Sequence, residues 1–363
     1  MDIVVRIVVL VLGLVIVGWT LLSAIRTFVL PRSDNVFLTR LIFQTVFKLF
    51  QLRLYWAKSY AERDRVLALF PPIGLLLTPV VWFTLITIGY MFIFWAVDVR
   101  PWYDAFLLSG SSLLTLGFAP VNNFAQMLLA FSEATIGLGL IALLISYLPT
   151  MYTAFTERES AVTMLEVYAG APPSAVEMLT RMHRIHGLEY LSVIWPTWEK
   201  WFVDLEQSHT SLAPLVFFRS PHVGQSWVVT AGTVLDAASL ATSTLDLPRD
   251  PKAQLCIRSG YLALRNIVDF FGIPYDQSPK PGDPISVTRA EFDEVCNQLE
   301  EVGVPLKKDR DQAWRDFAGW RVNYDTVLLT LVGMTMAPKA PWSGDRVLPD
   351  SRPSLFRRST HRM

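Results

Sequence analysis

One residue could do chemistry where the surrounding sequence is apolar. Glu133 lies in Phe124–Tyr152, a run with no other charged residue. Burying a lone carboxyl group in such a segment is costly, so its presence indicates a function. It could attract cations, or it could form hydrogen bonds with hydroxyl groups, and a second apolar segment offers three of them. Those hydroxyl groups belong to Ser109, Ser111 and Ser112.

Other chemistry is poorly represented. Cys256 and Cys296 form no Cys-x-x-Cys motif, which argues against a disulfide framework and a multi-thiolate zinc site. His183 and His186 have a spacing that a metal could use, but no nearby Cys or carboxylate completes a site. The sequence contains no Gly-x-Ser-x-Gly elbow, glycine-rich dinucleotide motif or Walker motif. We therefore expect no enzyme, no cofactor and no resident metal.

The composition indicates a membrane protein. Of 363 residues, 52% are hydrophobic and 18% charged, and the mean hydropathy is +0.35. Soluble domains average roughly 45 to 50% apolar and about 25% charged residues. The formal net charge is zero, so the chain lacks the basic field typical of nucleic-acid-binding proteins.

Three uncharged stretches are long enough to cross a bilayer. They are Ile7–Ile25, Ile73–Val97 and, apart from Glu133, Phe124–Tyr152. A spanning helix needs about 17 to 25 such residues. A signal peptide is the alternative for the first stretch, but Asp2 and the long apolar run fit that alternative poorly. We predict three transmembrane helices.

The segment between the second and third stretches, Val99–Asn123, is neither a full span nor a water-filled loop. It is strongly apolar, yet Gly110, Gly117 and Pro120 interrupt it. Irregular backbone at membrane depth is tolerated where it lines a cavity or is buried in protein. We therefore predict a re-entrant segment.

Basic residues near the span ends predict the orientation. Only Arg100 lies between the second and third spans, whereas eight basic residues lie between the first and second. These eight are Arg26, Arg32, Arg40, Lys48, Arg53, Lys58, Arg63 and Arg65. Cytoplasmic loops carry such an excess. We expect a multi-pass protein of the plasma membrane with its N-terminus outside and its large C-terminal part in the cytoplasm.

The segment Trp102–Pro120 resembles the pore loop of the potassium-channel superfamily. In that family a short pore helix precedes a Thr-Val-Gly-Tyr-Gly filter, whose backbone carbonyls replace the hydration shell of an ion. The matching filter positions are Thr115, Leu116, Gly117, Phe118 and Ala119. The resemblance implies an outer helix over 73–97, a pore helix over 102–113, a filter over 115–119 and an inner helix over 124–152. It covers about Ile73 to Glu159, less than a quarter of the chain.

The resemblance also implies roles for residues that support the pore. Asp104 would lie near the start of the pore helix, with Ser111 and Ser112 in its last turn. Glu133 would either face the permeation path or lie behind the filter, bonded to a pore-helix serine. We favour the second position because Glu133 lies high in the inner helix.

The inner helix offers a candidate gating hinge. Gly137 and Gly139 match the region where the family's inner helix has a hinge glycine, and Pro149 lies where such helices bend. Glycine and proline each allow a helix to flex. Close packing against another helix is the equally compatible alternative for the glycines.

Two positions depart from the family filter. Ala119 replaces its second glycine and Pro120 replaces the acid that commonly follows. A left-handed residue with a Cβ costs roughly 1 to 2 kcal/mol relative to glycine. Pro120 also favours extended backbone at Ala119.

The expected fold is an all-α membrane protein with the pore-loop architecture, an extra N-terminal helix and an α-helical cytoplasmic domain. The resemblance implies a homotetramer in the lipid bilayer that conducts a monovalent cation, potassium in preference to sodium. The alternative is a non-conducting, membrane-anchored sensor or scaffold that keeps a channel-like hairpin. The N-terminal span lacks a row of arginines and gives no sign of voltage sensing.

The predicted organisation has five parts: an N-terminal span (1–35), an amphipathic region (36–70), the pore domain (71–156), a helical domain (157–336) and a disordered tail (337–363). The amphipathic helix over 36–56 could lie in the membrane interface or pack under the membrane domain.

Periodicity predicts seven helices in the helical domain, to which an unidentified ligand or protein could bind. These helices cover 160–168, 174–186, 188–207, 226–244, 251–271, 289–302 and 309–336. Thr288 and Glu291 have capping-box spacing at the start of the sixth. The aromatic residues Trp195, Trp198, Trp201 and Phe202 have helical spacing that favours core packing.

Overall fold

The computed structural model describes residues 3–28 and 37–346, which form two compact units. Of the described residues, the first unit contains 3–28, 37–57 and 66–153, and the second contains 58–65 and 154–346. The described residues are helical and contain no β-strand. Residues 29–36 and 347–363, which include part of the predicted tail, lie outside the described ranges.

The first unit contains four complete helices and parts of two others. They are α1 (Ile3–Phe28), α2 (Phe37–Leu54), α4 (Phe70–Ala96), α5 (Trp102–Leu113) and α6 (Phe124–Ala169), with α3 (Tyr60–Ala68) shared between the units. Pro71 and Pro72 occupy the first turn of α4, where their missing amide donors cost nothing.

Three described segments are long and apolar enough to cross a membrane, as predicted. They are Ile3–Phe28, Tyr60–Ala96 and Phe124–Ala169. The first and second pack closely at two glycines, because a Cβ at Gly13 would lie 2.6 Å from the carbonyl oxygen of Gly89. Small residues of this kind let membrane helices approach each other.

Helix α2 packs against the start of α4 along one face. The rings of Phe43 and Phe47 lie 5.9 and 5.3 Å from that of Phe70, and all three side chains are buried. A Cβ at Gly74 would lie 2.7 Å from the Phe43 ring. The predicted amphipathic helix is therefore present. One of its faces packs against another helix, as in the alternative in which it does not lie in the membrane interface.

The second unit, called the helical unit below, has a core built around α9 (Trp227–Thr244). Nearly every residue of α9 is buried. Around it lie α7 (Ala175–Arg184), α8 (Leu191–Ser211), α10 (Pro251–Phe270), α11 (Arg289–Glu301), α12 (Arg310–Arg321) and α13 (Asp325–Thr335). Trp195, Trp198 and Phe202 are buried in this core, and Thr288 and Glu291 form the predicted capping box.

Two predicted helix boundaries were wrong. The inner helix does not end at Tyr152, because α6 continues through Pro149 to Ala169 and absorbs the helix predicted over 160–168. The helix predicted over 309–336 is divided into α12 and α13. There the side-chain amide of Asn323 donates to the carbonyl oxygens of Gly319 and Trp320, which ends α12.

The predicted amphipathic region 36–70 is also divided, because 58–65 belongs to the second unit. Buried Asp64 lies 3.4 Å from the guanidinium of Arg219, and Tyr60 approaches the same group. Because Asp64 and Arg219 are far apart in the sequence, no local pattern predicts their ion pair.

The predicted disorder from Ala337 onward was wrong as far as Arg346. The Trp342 side chain is buried, and its ring lies 5.4 Å from that of Phe317. Its carbonyl oxygen accepts a hydrogen bond from Arg321, with an N···O distance of 2.5 Å. These two contacts hold 337–346 on the helical core.

Candidate functional site

Helix α5 has the bounds that the sequence predicts, Trp102–Leu113, and lies between two candidate spans. Pro101 precedes its first turn. The Trp102 ring stacks on that of Trp95 at the end of α4, with centroids 4.6 Å apart. Asp104 lies in the first turn with an exposed side chain.

The loop after α5 folds back onto the last turn of that helix. The amides of Leu116 and Gly117 donate to the carbonyl oxygen of Ser111, at 2.8 and 3.3 Å. The amides of Phe118 and Ala119 donate to the Ser111 hydroxyl, both at 3.1 Å. Ser111 therefore holds four consecutive loop residues.

Ser112 holds the first residue of the loop. Its carbonyl oxygen accepts a hydrogen bond from the Thr115 amide at 3.0 Å, while its hydroxyl group donates to Leu108 within α5. All five amides over 115–119 thus point to the end of α5. No hydrogen bond from the described residues reaches the five carbonyl oxygens of this loop.

The left-handed residues of the loop are Thr115 and Gly117, with φ values of 56° and 69°. The replacement of the second filter glycine suggested a conformational cost at Ala119. Ala119 is not among the positive-φ residues, so its Cβ brings no such cost. The Cβ cost falls instead on Thr115, whose neighbouring amides are held by Ser111 and Ser112.

Glu133 is fully buried and contacts α5. The Ser109 hydroxyl lies 2.5 Å from Glu133 Oε1 and 3.1 Å from the carbonyl oxygen of Thr87 in α4. Of the three serines considered, Ser109 is the one that Glu133 contacts. The Ser109 hydroxyl thus joins α5 to α4 through Thr87 and to α6 through Glu133.

The hydrogen bonds of Ser109 indicate which replacement of Glu133 should preserve the contact between the two residues. Ser109 has one hydroxyl hydrogen, and two oxygen atoms lie within its reach. If Ser109 donates to Thr87, the partner at position 133 must donate to Ser109. Glutamine has the size of glutamate and supplies both a donor and an acceptor.

We expect Glu133→Gln to retain the unfolding midpoint of the unmodified protein in detergent. Glu133→Leu should lower the free energy of unfolding by about 1 to 3 kcal/mol, because it leaves a buried hydroxyl group without this partner. Thr135→Leu is the matched control, since Thr135 is exposed on the same helix and bonds only its own turn. Equal stability of the Gln and Leu variants would contradict this assignment.

Gln126 is a structural residue that the sequence reasoning missed. Its buried side chain accepts a hydrogen bond from the Asn122 amide and donates to the carbonyl oxygen of Val97. The Asn123 side chain accepts from the Gln126 amide at 2.9 Å and caps α6. The spacing Asn123-x-x-Gln126 resembles a capping box, so it is the sequence pattern from which this cap could have been predicted.

The two glycines considered for a hinge differ in their surroundings. A Cβ at Gly137 would overlap the carbonyl oxygen of Leu113 at the end of α5, whereas a Cβ at Gly139 would meet nothing within 4 Å. Close packing is therefore the structural reason for glycine at position 137. Pro149 is exposed and lies inside the continuous helix.

The second unit contains a buried polar cluster of Arg158 and His209. Arg158 donates to the carbonyl oxygens of Leu215 and Phe218 at 2.8 and 2.9 Å. Burial, together with the adjacent guanidinium, holds the pKa of His209 well below its ordinary value. This histidine is thus a neutral partner inside the fold.

Among the described residues, no group of three or more His, Cys, Asp or Glu side chains could hold a metal ion. His183 and His186 lie at the end of α7 and just beyond it. Cys256 and Cys296 are free and buried, and burial raises the pKa of Cys296 to about 11.

No family model, curated protein or solved structure matches this chain.

Proposed function

We propose that the protein is a homotetrameric channel that conducts monovalent cations, potassium in preference to sodium, through the loop Thr115–Ala119. The observation that carries this proposal is the division of polar groups in the loop. Its amides are used by Ser111 and Ser112, while its carbonyl oxygens accept no hydrogen bond from the described residues. Such carbonyls can replace the hydration shell of a cation.

The direction of α5 supports the same role. Its C-terminal end carries the partial negative charge of the helix dipole and leads directly into the loop. A cation that loses water there would meet this charge as well as the carbonyl oxygens.

One loop cannot encircle an ion, so the proposal requires several chains around an axis. The exposure of α6 supports this requirement. Only 17% of its most apolar window is buried within the chain, against 28% for α1 and 39% for Tyr60–Ala96. Large apolar side chains on α6 therefore need other partners, which neighbouring chains and lipid would supply.

One exposed line of α6 has the small side chains that a permeation path needs. Thr135, Gly139, Ala142 and Ser146 recur at helical spacing and are exposed. We place this line toward the axis below the loop. The helical unit would assemble the tetramer or gate it. The orientation of the chain in the plasma membrane would follow the distribution of basic residues in the sequence.

The testing experiment is ion flux through the purified protein in liposomes, with opposed potassium and sodium gradients, together with its mass in detergent. A reversal potential shifted toward potassium and the mass of four chains would support the proposal. A current that reverses near zero would show that the channel does not select potassium over sodium. No current from a single-chain species would favour the anchored scaffold.

Gly117→Ala should reduce potassium flux at least tenfold. A Cβ at this left-handed residue costs about 1 to 2 kcal/mol and shifts the carbonyl groups on either side. Gly110→Ala is the matched control, because a Cβ at either position meets nothing within 4 Å and only Gly117 has positive φ. Unchanged flux and selectivity in Gly117→Ala would contradict the assignment of the loop as the filter.

A further inference from the structure

Helix α2 has a second apolar face, opposite the face that packs on α4. Most of its side chains are large and apolar or aromatic, yet they are exposed, and Trp56 just beyond the helix is 73% exposed. We define the outer face of α2 as Leu41, Lys48, Leu49, Leu52, Arg53, Tyr55 and Trp56. These positions recur at helical spacing along one side of the segment.

The charge of this segment has one sign. Between Val36 and Ala57 the sequence contains Arg40, Lys48 and Arg53 and no acidic residue. Lys48 and Arg53 are exposed on the outer face, each beside an exposed leucine. An anionic partner with an apolar body is complementary to such a surface.

The fold holds this face beside the candidate spans. On the other side of α2, Phe43 and Phe47 are fixed against Phe70 of α4. At the start of α2, the Thr39 hydroxyl lies 2.9 Å from that of Thr27 in α1. The outer face therefore belongs to a helix that contacts two membrane-spanning candidates and cannot turn freely.

We propose that the outer face of α2 binds anionic phospholipids of the bilayer that α1 and α4 span. Leucine and aromatic side chains enter the boundary between headgroups and acyl chains, and Lys48 and Arg53 bind the phosphate groups. Tyr55 and Trp56 have the amphipathic rings that are enriched at this depth. The same two basic residues would give the face a preference for anionic over neutral lipid.

The test uses the full chain in phosphatidylcholine vesicles that contain phosphatidylglycerol. A fixed fraction of one lipid or the other carries bromine on its acyl chains, which quenches nearby tryptophan. The Trp56 signal is the difference between the unmodified protein and Trp56→Phe. We expect the brominated anionic lipid to be enriched at Trp56 at least fivefold over the brominated neutral lipid, since each basic residue near an anionic surface contributes about a fivefold preference.

The variant Lys48→Gln/Arg53→Gln, measured against the same variant carrying Trp56→Phe, should reduce this preference to about one while quenching persists. Arg184→Gln/Lys252→Gln is the matched control, because it removes two exposed basic residues from the helical unit. Equal quenching by both lipids in the unmodified protein would overturn the proposal. So would the absence of quenching by either lipid, which would place a protein surface on this face. The readout does not depend on conduction, so it can fail or succeed independently of the channel proposal.

Discussion

Arg321→Met should lower the free energy of unfolding of the helical unit by about 3 to 5 kcal/mol. Arg321 is completely buried in α12 and pairs with Asp236 and, at 2.8 Å, with Asp325. Removing one partner of a buried ion pair leaves the other charge in the interior without compensation, which accounts for this magnitude.

The reach of the Arg321 side chain explains why so much stability depends on one residue. Its guanidinium joins α9, α13 and the carbonyl oxygen of Trp342 in the segment after α13. Burial alone would lower the pKa of Arg321, but Asp236, Tyr324 and Asp325 outweigh burial and hold that pKa above its ordinary value. The arginine is therefore charged throughout the accessible pH range.

The measurement is denaturant unfolding of the full chain in detergent, followed by near-ultraviolet circular dichroism. Arg321→Lys should be intermediate, because lysine keeps the charge and loses the planar fork of donors. Arg289→Met is the control, since Arg289 forms ion pairs with Asp293 and Asp311 but its side chain is 37% exposed. Exposed pairs contribute about 0 to 1 kcal/mol. A similar loss of unfolding free energy in Arg321→Met and Arg289→Met would show that the buried ion pairs stabilise the protein no more than the exposed ones.

Local patterns were sufficient for the elements whose ends are set by nearby residues. Helix α5 was located by the resemblance of Trp102–Pro120 to a pore loop, and its observed start follows a local signal, Pro101 before the first turn. The same holds for α11, where Thr288 and Glu291 form a complete cap. In both cases the decisive contacts lie within a few residues.

The end of α6 could not be predicted, because its decisive contacts are distant. The helical domain predicted over 157–336 begins with three charged residues, Glu157, Arg158 and Glu159, yet Arg158 and Glu159 are only 3% and 6% exposed. They pair with each other, and Arg158 also bonds the carbonyl oxygens of Leu215 and Phe218, about sixty residues away. Charge in a sequence indicates exposure only when no such partners exist.

The loop after α5 was predicted in part. A resemblance over five residues gave its position and suggested support from Ser111, while the choice between Ser109 and its neighbours as the partner of Glu133 stayed open. That choice depends on how α4, α5 and α6 pack, since Ser109 also reaches the carbonyl oxygen of Thr87. Likewise, the left-handed position at Thr115 follows from the amides that Ser111 and Ser112 bind and not from residue type.

Under the proposed channel function, Gly137→Ala should reduce ion flux more than tenfold, and it should destabilise the first unit by about 1 to 3 kcal/mol. The added methyl group would overlap the carbonyl oxygen of Leu113, so α5 and α6 would have to separate. Overpacking a tight contact typically costs this amount. Because Leu113 lies only two residues after Ser111, the separation would also move the hydroxyl group that binds the amides of Phe118 and Ala119.

Gly139→Ala separates close packing from hinge bending as the reason for these glycines. A Cβ at Gly139 meets nothing within 4 Å, and alanine favours a helix interior over glycine by about 1 kcal/mol. If packing at Gly137 is the requirement, Gly139→Ala should keep flux within about twofold and unfold at the same or a higher temperature. Loss of flux in Gly139→Ala with unchanged stability would instead identify position 139 as the hinge or as a contact with a neighbouring chain. Normal flux and stability in Gly137→Ala would refute the packing role, since a methyl group that overlaps the carbonyl oxygen of Leu113 should force α5 and α6 apart.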